Sequence, residues 1–413
     1  MRTKIQSGKI YDIAIAGAGA AGLTLACLLA GAGFDIAMID PAPPLSDRKP
    51  LPPSGRTVAL MNSSLNIVKA AGLDTPEALG TALRIMRIRD ESMTGRDALE
   101  ARFDAADMGL EQYGFNIPGD VLVSALYEHA TTRPGLDIIF SDSFTESLVE
   151  GSQINVVLKS GTSLSARLLV GADGRNSAVR EDAGITVKKH DYGQSAITCL
   201  ISHTRVHDNI STEFHRPAGP LAFVPMPGNT SSIVWVERTD KVDEILRLKK
   251  NEFTALLEKL SGSFLGALTL ESPPASWPLC AITAGNLTAP RTALIAEAAH
   301  VMSPITAQGL NLSLRDVAAL AEVLTDAARA GIDIGSTAVL DSYARRRLPD
   351  MTIRTQGVDG MMRLVSTEHG LIKALRRTGL KAVSGIPPLK NLAMHHGLAP
   401  AIDRGRLSKG GKL

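Results

Sequence analysis

Six residues near the N-terminus, Gly17-Ala-Gly19-Ala20-Ala21-Gly22, constrain this chain more than any other feature. They lie between an apolar strand pattern, Ile10 to Ala16, and a small-residue helix pattern from Leu23 to Ala32. In a G-x-G-x-x-G turn so placed, the first glycine makes the tight turn and the second lets the backbone approach a pyrophosphate. The third lets helix and strand pack closely. The helix start then presents unpaired N–H groups and partial positive charge to the phosphates. A second apolar strand pattern, Phe34 to Ile39, ends in Asp40, 23 residues after Gly17. An acid there either meets a ribose hydroxyl or serves as a strand-end turn residue. Together these residues predict a dinucleotide site built from Gly17, Gly19, Ala20, Ala21, Gly22 and Asp40. The acid fits FAD or NAD and disfavours the 2′-phosphate of NADP; the fingerprint does not choose between the first two.

The same region imitates something else. Ile13 to Phe34 is 22 residues without a charge, preceded by Arg2, Lys4 and Lys9, as in a signal peptide or membrane span. Five glycines inside it and Asp12 just before it favour the strand–turn–helix reading. Lys+Arg of 44 against Asp+Glu of 42 leaves a net charge of +2, so no general field exists for gripping nucleic acid. Aromatic residues at 4% are too few for base-stacking platforms. Cys27, Cys199 and Cys280 are widely separated and unpaired in sequence, which excludes a disulfide framework and a zinc knuckle. A reduced, cytoplasmic setting is expected.

Beyond Asp40, six prolines between Pro41 and Pro53 exclude regular structure. Strand patterns follow at 84–91, 99–104, 136–140, 154–158 and 163–170, with helices over Asn62–Ala71 and Gly119–Thr131. A β-rich block carries strands at 194–206, 221–225 and 231–237, and a polar helix then runs to about Leu260. The strand Thr292–Ala296 and helix Gly309–Ala330 resume the α/β pattern, and from Asp341 the chain reads helical with breaks at Pro349 and Pro387-Pro388. No repeat of solenoid period is present. The fold class is therefore α/β: a Rossmann-like nucleotide-binding domain over 1–188 and 286–348, and an inserted β-sheet substrate domain over 189–285. Strands from 84–104 join that inserted sheet, and a helical region covers 349–413.

Two further stretches identify the chemistry by resemblance. Val170-Gly-Ala-Asp173-Gly174-Arg-Asn-Ser177-Ala-Val-Arg180 resembles the DG signature of p-hydroxybenzoate hydroxylase-like FAD-dependent monooxygenases. Ala296-Glu297-Ala-Ala-His300, followed by Pro304-Ile-Thr-Ala307-Gln308-Gly309-Leu310-Asn311, resembles their GD signature. Arg56 with Ala59-Leu60 resembles the R-x-x-A-L stretch that contacts flavin. More narrowly, the ordered set GPLAFVPMP at 219–227, Val234-Trp235, Tyr343-Ala-Arg-Arg-Arg347, GMMRLVS at 360–366, LRRTGLKAV at 375–383 and PPLKNLAMHHG at 387–397 resembles the ubiquinone-biosynthesis hydroxylases. Departures are Ala296-Glu297 for Gly-Asp, Ala307 for a glycine and Ser313 for a common glycine.

The resemblance implies FAD held by the fingerprint residues with Arg56, Asp173, Gly174, Glu297, Pro304, Gln308, Gly309, Leu310 and Asn311. Glu297 would accept from the ribitol chain, and the loop at Pro304 would lie near the flavin. It also implies a reaction in which reduced flavin and O₂ give a flavin hydroperoxide that hydroxylates a polyprenylated aromatic ubiquinone precursor. With one dinucleotide fingerprint, electrons come from transiently docked NAD(P)H or an external reductase. The alternatives are hydroxylation of a soluble aromatic compound and a non-catalytic flavin-binding subunit of a quinone-biosynthesis complex.

Activating a phenol calls for a base or proton relay. Tyr192, His190, His203, His207 and His215 lie in the right region, and sequence does not choose among them. His203 and His207, on one predicted strand, stand about 13 Å apart, too far to share a metal ion. No metal site is expected, and His300 is expected to brace the flavin loop. Leu221 to Pro227 is a candidate pocket wall and equally an ordinary sheet core. The tail from 363 to 413 carries ten Lys/Arg against Glu368 and Asp403, with leucines and isoleucine interleaved. Such helices suit either peripheral contact with an anionic membrane or packing on the nucleotide domain with a solvated basic face. The chain is compatible with association into an oligomer.

Overall fold

The computed structural model describes residues 8–42, 55–90, 99–303, 308–366, 390, 394 and 405–413. Numbered in chain order, the strands form two large sheets and a small one. The first sheet contains β1 (Ile10–Ala16), β2 (Ile36–Asp40), β8 (Leu136–Phe140), β9 (Phe144–Glu150), β10 (Gln153–Leu158), β11 (Ser163–Gly171), β18 (Thr288–Ala289) and β19 (Thr292–Leu294). Its centre, β19-β11-β1-β2-β8, is parallel throughout. Parallel strands covered on both faces read as continuous apolar runs, and Ile13, Ala14, Ile15, Leu168, Leu169 and Val170 are all fully buried. Helix α1 (Ala20–Gly31) makes the crossover from β1 to β2, and α3 (Gly119–Thr131) leads into β8. The uncharged run from Ile13 to Phe34 is thus a central strand and a helix packed against α3 and α7 (Gly309–Arg329). Among the described residues no helix is long and apolar enough to cross a membrane. The three cysteines are free.

The second sheet runs β20-β17-β12-β15-β14-β13-β5-β6, with β16 also paired to β12. Its members are β5 (Ile85–Asp90), β6 (Leu99–Asp104), β12 (Val187–His203), β13 (Ile210–His215), β14 (Leu221–Met226), β15 (Thr230–Arg238), β16 (Leu268–Leu270), β17 (Ala275–Ala284) and β20 (His300–Val301). One face buries Ile197, Phe214, Phe223 and Trp235 against Val242, Phe253 and Leu257 of the helical segment after β15. The predicted single polar helix is two, α5 (Thr239–Leu246) and α6 (Lys250–Ser261). The second starts where the Glu252 carboxylate accepts from the Lys249 backbone N–H at 2.9 Å, which marks a new helix start rather than a continuation of the first.

The small sheet, β3 (Thr57–Met61), β7 (Gly114–Pro118) and β4 (Thr81–Leu83), packs against the first turns of α7 on one side and β14 on the other. Helix α2 (Asn62–Ala70) follows β3, and α4 (Ala178–Asp182) follows β11.

Two further expectations fail. Pro349 does not break the chain: α8 (Thr337–Ser366) runs through it. A proline removes one helical hydrogen bond, but Asp350 binds Arg347 at 3.0 Å and Arg354 at 3.0 Å, tying the turns before and after it together. His203 and His207 are not held apart by an extended strand either. β12 ends at His203, the chain turns, and the two rings stack edge to face with centroids 5.6 Å apart. His207 Nε2 pairs with the Met226 carbonyl at 2.9 Å, and His203 Nδ1 with the Arg205 carbonyl at 2.7 Å. Among the described residues no group of three metal-ligating side chains occurs.

Candidate flavin site

The site is assembled at the C-terminal ends of β1 and β11. At Gly17 the backbone takes φ +107°, its N–H donates to the Ile39 carbonyl at 2.8 Å, and a Cβ would stand 2.3 Å from the Ala172 oxygen. At Gly22 a Cβ would stand 2.0 Å from the Gly17 oxygen. These two glycines are therefore required by backbone contacts, one of them with the DG segment itself. Gly19, Gly174 and Gly309 differ: a Cβ added to any of them meets nothing within 4 Å. Gly19 precedes α1 and Gly309 begins α7, two helices packed side by side, and no side chain caps either first turn. Two uncapped helix starts beside glycines that face open space are a cradle for an anionic, extended ligand.

Gly171 of the DG segment pairs with Leu294 in β19 and accepts from Ile295 N–H at 3.0 Å, which brings residues 295–300 alongside. Arg180 is buried and locks the two segments, donating to the Ala298 carbonyl at 2.9 Å and the Arg175 carbonyl at 3.0 Å. Asn311, fully buried, donates from Nδ2 to the Ala59 carbonyl at 2.7 Å and accepts at Oδ1 from Met61 N–H at 2.9 Å. It thereby clamps the R-x-x-A-L strand to the start of α7. Gln308 is buried and accepts from Arg354 at 3.1 Å, while Leu310 packs against the main core.

Several anticipated ligand groups are engaged within the protein. Asp40 accepts from Ala18 N–H at 2.7 Å and Ala42 N–H at 2.9 Å, so it braces the glycine turn. Asp173 accepts from Ser177 Oγ at 2.5 Å and Val179 N–H at 3.1 Å, capping α4. Glu297 is half exposed and pairs with Arg175 at 3.5 Å. Arg56 turns toward the second sheet, its guanidinium 4.4 Å from the centre of the Trp277 ring. Ala20 and Ala21 form the first turn of α1. Pro304, the tail segment from 367 to 389 and the prolines from 43 to 53 lie outside the described residues. Of the tail, Lys390 pairs with Asp107 at 2.6 Å, and Arg406 with Asp326 at 2.8 Å beside a fully buried Leu407.

The base candidates are dispersed over the second sheet. His215 Nε2 lies 2.7 Å from Glu213, His190 packs edge-on to Tyr192, and burial holds the His203 imidazole below its ordinary range. On β14, Leu221 and Phe223 belong to the sheet core, while Val224 faces the small sheet.

Sequence reasoning missed a buried ionic chain beneath the site. Asp316 of α7 is 1% exposed, accepts from Ala296 N–H at 3.1 Å, and binds His300 Nε2 at 2.6 Å and Arg347 Nε at 2.8 Å. Asp350 continues it to Arg347, Arg354 and Arg315. A charged Arg315-Asp316 step among Leu312, Leu314, Val317 and Ala318 was its signal in the sequence. Burial opposes ionisation of Asp316, but His300 and Arg347 outweigh it and hold the carboxyl below the usual carboxylate range. Burial likewise opposes ionisation of Asp350, and Arg347, Arg315 and Arg354 outweigh it. A depressed folded-state pKa adds stability that is complete above the unfolded value, near ~4, and is lost as pH falls below it. Thermal melts at pH 7 and 5 should therefore show no loss from this chain of charges, with a steep decline below about pH 4. A decline already complete by pH 5 would contradict it.

Over residues 10–356 the sequence matches the family described as FAD binding domain. Ubiquinone hydroxylase UbiL of Rhodospirillum rubrum is 35% identical over 391 residues, 94% of this chain and 90% of that protein. The 3-demethoxyubiquinol 3-hydroxylase of Escherichia coli is 30% identical over 390 residues, 94% of this chain and 98% of that protein. Among solved structures, p-nitrophenol 4-monooxygenase PnpA of Pseudomonas putida superposes with a TM-score of 0.77 at 18% identity, covering 95% of this chain and 99% of its own. A variant of HpxO from Klebsiella pneumoniae, complexed with FAD, gives 0.76 at 18% identity, covering 94% and 99%. At these identities the structures establish the fold.

Proposed function

The chain belongs to the FAD-binding-domain family and, within it, to the ubiquinone-biosynthesis hydroxylases, and on that premise we propose that it hydroxylates the aromatic ring of a polyprenylated quinone precursor. It is an FAD-dependent monooxygenase, with O₂ as co-substrate and NAD(P)H or a reductase as electron source. The observation that carries the reading is convergence: the glycine turn, the DG segment, residues 295–300 and the start of α7 adjoin one another, and Gly19, Gly174 and Gly309 among them each have open space where a side chain would stand.

The residues present fit FAD. The N–H groups at the starts of α1 and α7 would receive its anionic and carbonyl oxygens, with Gly19, Gly174 and Gly309 admitting it closely. Asp40, Asp173, Glu297, Arg56, Gln308, Leu310 and Asn311 would complete the surroundings, several of them by shaping the loops. FAD, when bound, supplies the oxygen-transfer chemistry. The chain's own work is to position the ring and exclude water, and the meeting of β14 with the small sheet supplies an apolar wall for both. A peripheral contact with the membrane that holds such lipids belongs to this proposal, resting on the interleaved basic and apolar residues of 363–413.

Two linked measurements test the reading. The purified protein should be yellow, and an electron-rich phenol should stimulate its consumption of reductant. A deletion strain should accumulate an under-hydroxylated prenylated precursor by mass spectrometry, cleared by the wild-type chain. A colourless protein, or a strain with normal quinone and no accumulated precursor, would refute it.

A further inference from the structure

We propose that Asn116 reads a hydroxyl hydrogen on the substrate's aromatic ring, so that the site takes phenols and quinols and rejects the corresponding ethers and quinones. This rests on the hydroxylase reading and narrows it to one atom. Asn116 lies in β7 and is 1% exposed. Its Nδ2 donates to the Pro225 carbonyl at 2.9 Å and reaches Met226 Sδ at 3.3 Å. Those contacts fix which end of the amide is oxygen, because the flipped amide would set two acceptors against each other. Among the described residues the oxygen, Oδ1, has no donor. Native proteins leave few buried polar atoms in that condition, and each calls for an explanation.

Its position supplies one. The register places Asn116 opposite Ala59 of β3 and Thr81 of β4. Ala59 offers the carbonyl that Asn311 clamps to the start of α7. Neighbouring strands lie about 4.8 Å apart, so Asn116 stands one strand away from the backbone that borders the flavin cradle. On its other side β14 brings the second sheet over the same strands. Of the side chains nearby, Ala59, Met61, Leu83 and Val224 are apolar, and Thr81, opposite Asn116, and Tyr113 are the polar members. A buried acceptor without a donor in a largely apolar wall favours a ligand that brings a hydrogen-bond donor to it. A phenol or quinol hydroxyl supplies that hydrogen; an ether or a quinone carbonyl does not.

The test compares a prenylated phenol with its O-methyl ether on the flavin-loaded protein and on Asn116→Leu. Dissociation constants come from the ligand-induced change in flavin absorption, and kcat/KM from reductant consumption. The wild type should prefer the phenol by roughly tenfold or more. Asn116→Leu should bring the two ligands to within about threefold by weakening the phenol, with flavin still bound. An unchanged preference overturns the proposal, as does a variant whose only change is in flavin potential, since the donor would then be the cofactor. Should Asn116→Leu lose its flavin, Asn116→Ser decides, and full retention of the preference there overturns it. Failure of every phenol to bind or stimulate turnover refutes the hydroxylase reading itself. Turnover with unaltered preference refutes Asn116 alone.

Discussion

Gly22→Ala is expected to yield a colourless and poorly folded protein. The added methyl carbon would stand 2.0 Å from the Gly17 carbonyl oxygen, a contact between backbone and Cβ that no rotamer relieves. Overpacking a rigid site costs typically 1–3 kcal/mol and more where backbone must move. Here the backbone that must move also meets the DG segment, because Gly17 touches Ala172. Gly19→Ala is the control. Its Cβ meets nothing within 4 Å, so the fold should melt at the wild-type temperature while flavin affinity drops, the methyl standing where the ligand approaches. The ratio of flavin to protein absorbance and a thermal melt separate the two. Equal flavin content in Gly22→Ala and wild type, or a Gly19→Ala protein that melts early, would break the division between structural and ligand-facing glycines.

Asp316→Asn should be the most damaging change away from the glycine turn. Removing the acceptor of a buried ion pair leaves the Arg347 guanidinium charged and desolvated, at a cost of about 3–5 kcal/mol. Arg347, 1% exposed, and His300, 2% exposed, would both lose their acceptor, and Ala296 N–H would face a weaker one. A melting temperature lower by roughly 4–6 °C is expected. Adding Arg347→Met should recover part of that loss, since the stranded cation goes with it. A single variant melting within about 2 °C of wild type would show the chain of charges to be dispensable.

What the sequence made legible follows from how each feature encodes its structure. The glycine turn, β1, α1 and α7 were readable because their signals are local: three glycines at fixed offsets and long apolar runs. The chain through His300, Asp316, Arg347 and Asp350 was hidden, because its members lie far apart in sequence and ion pairing leaves no periodicity. β7 and β17 escaped for a different reason. The first is five residues ending in Pro118, and the second contains Pro278, so each carries a residue that argues against a strand. Asp40 and Asp173 were legible as important positions, but motif spacing cannot tell a ligand contact from a brace. Both spend their oxygens on backbone or hydroxyl donors of their own loops. The pairing of His203 with His207 depended on where β12 stops, and strand ends are set by tertiary contacts such as the His207 bond to Met226.

One feature of the second sheet bears on how relatives can be recombined. Its outermost strand, β20, is residues 300 and 301, and these pair with β17 through His300–Thr283 and Val301–Ile282. At the far side, β5 and β6 come from residues 85–104. A chimera that swaps only the contiguous stretch from 189 to 285 would therefore sever ladders at both margins. Exchanging 85–104, 187–284 and 300–301 together keeps every strand of the second sheet with its native neighbour, while β18 and β19 stay with β11 of the first sheet. Those are the seams at which shuffled hydroxylases should survive.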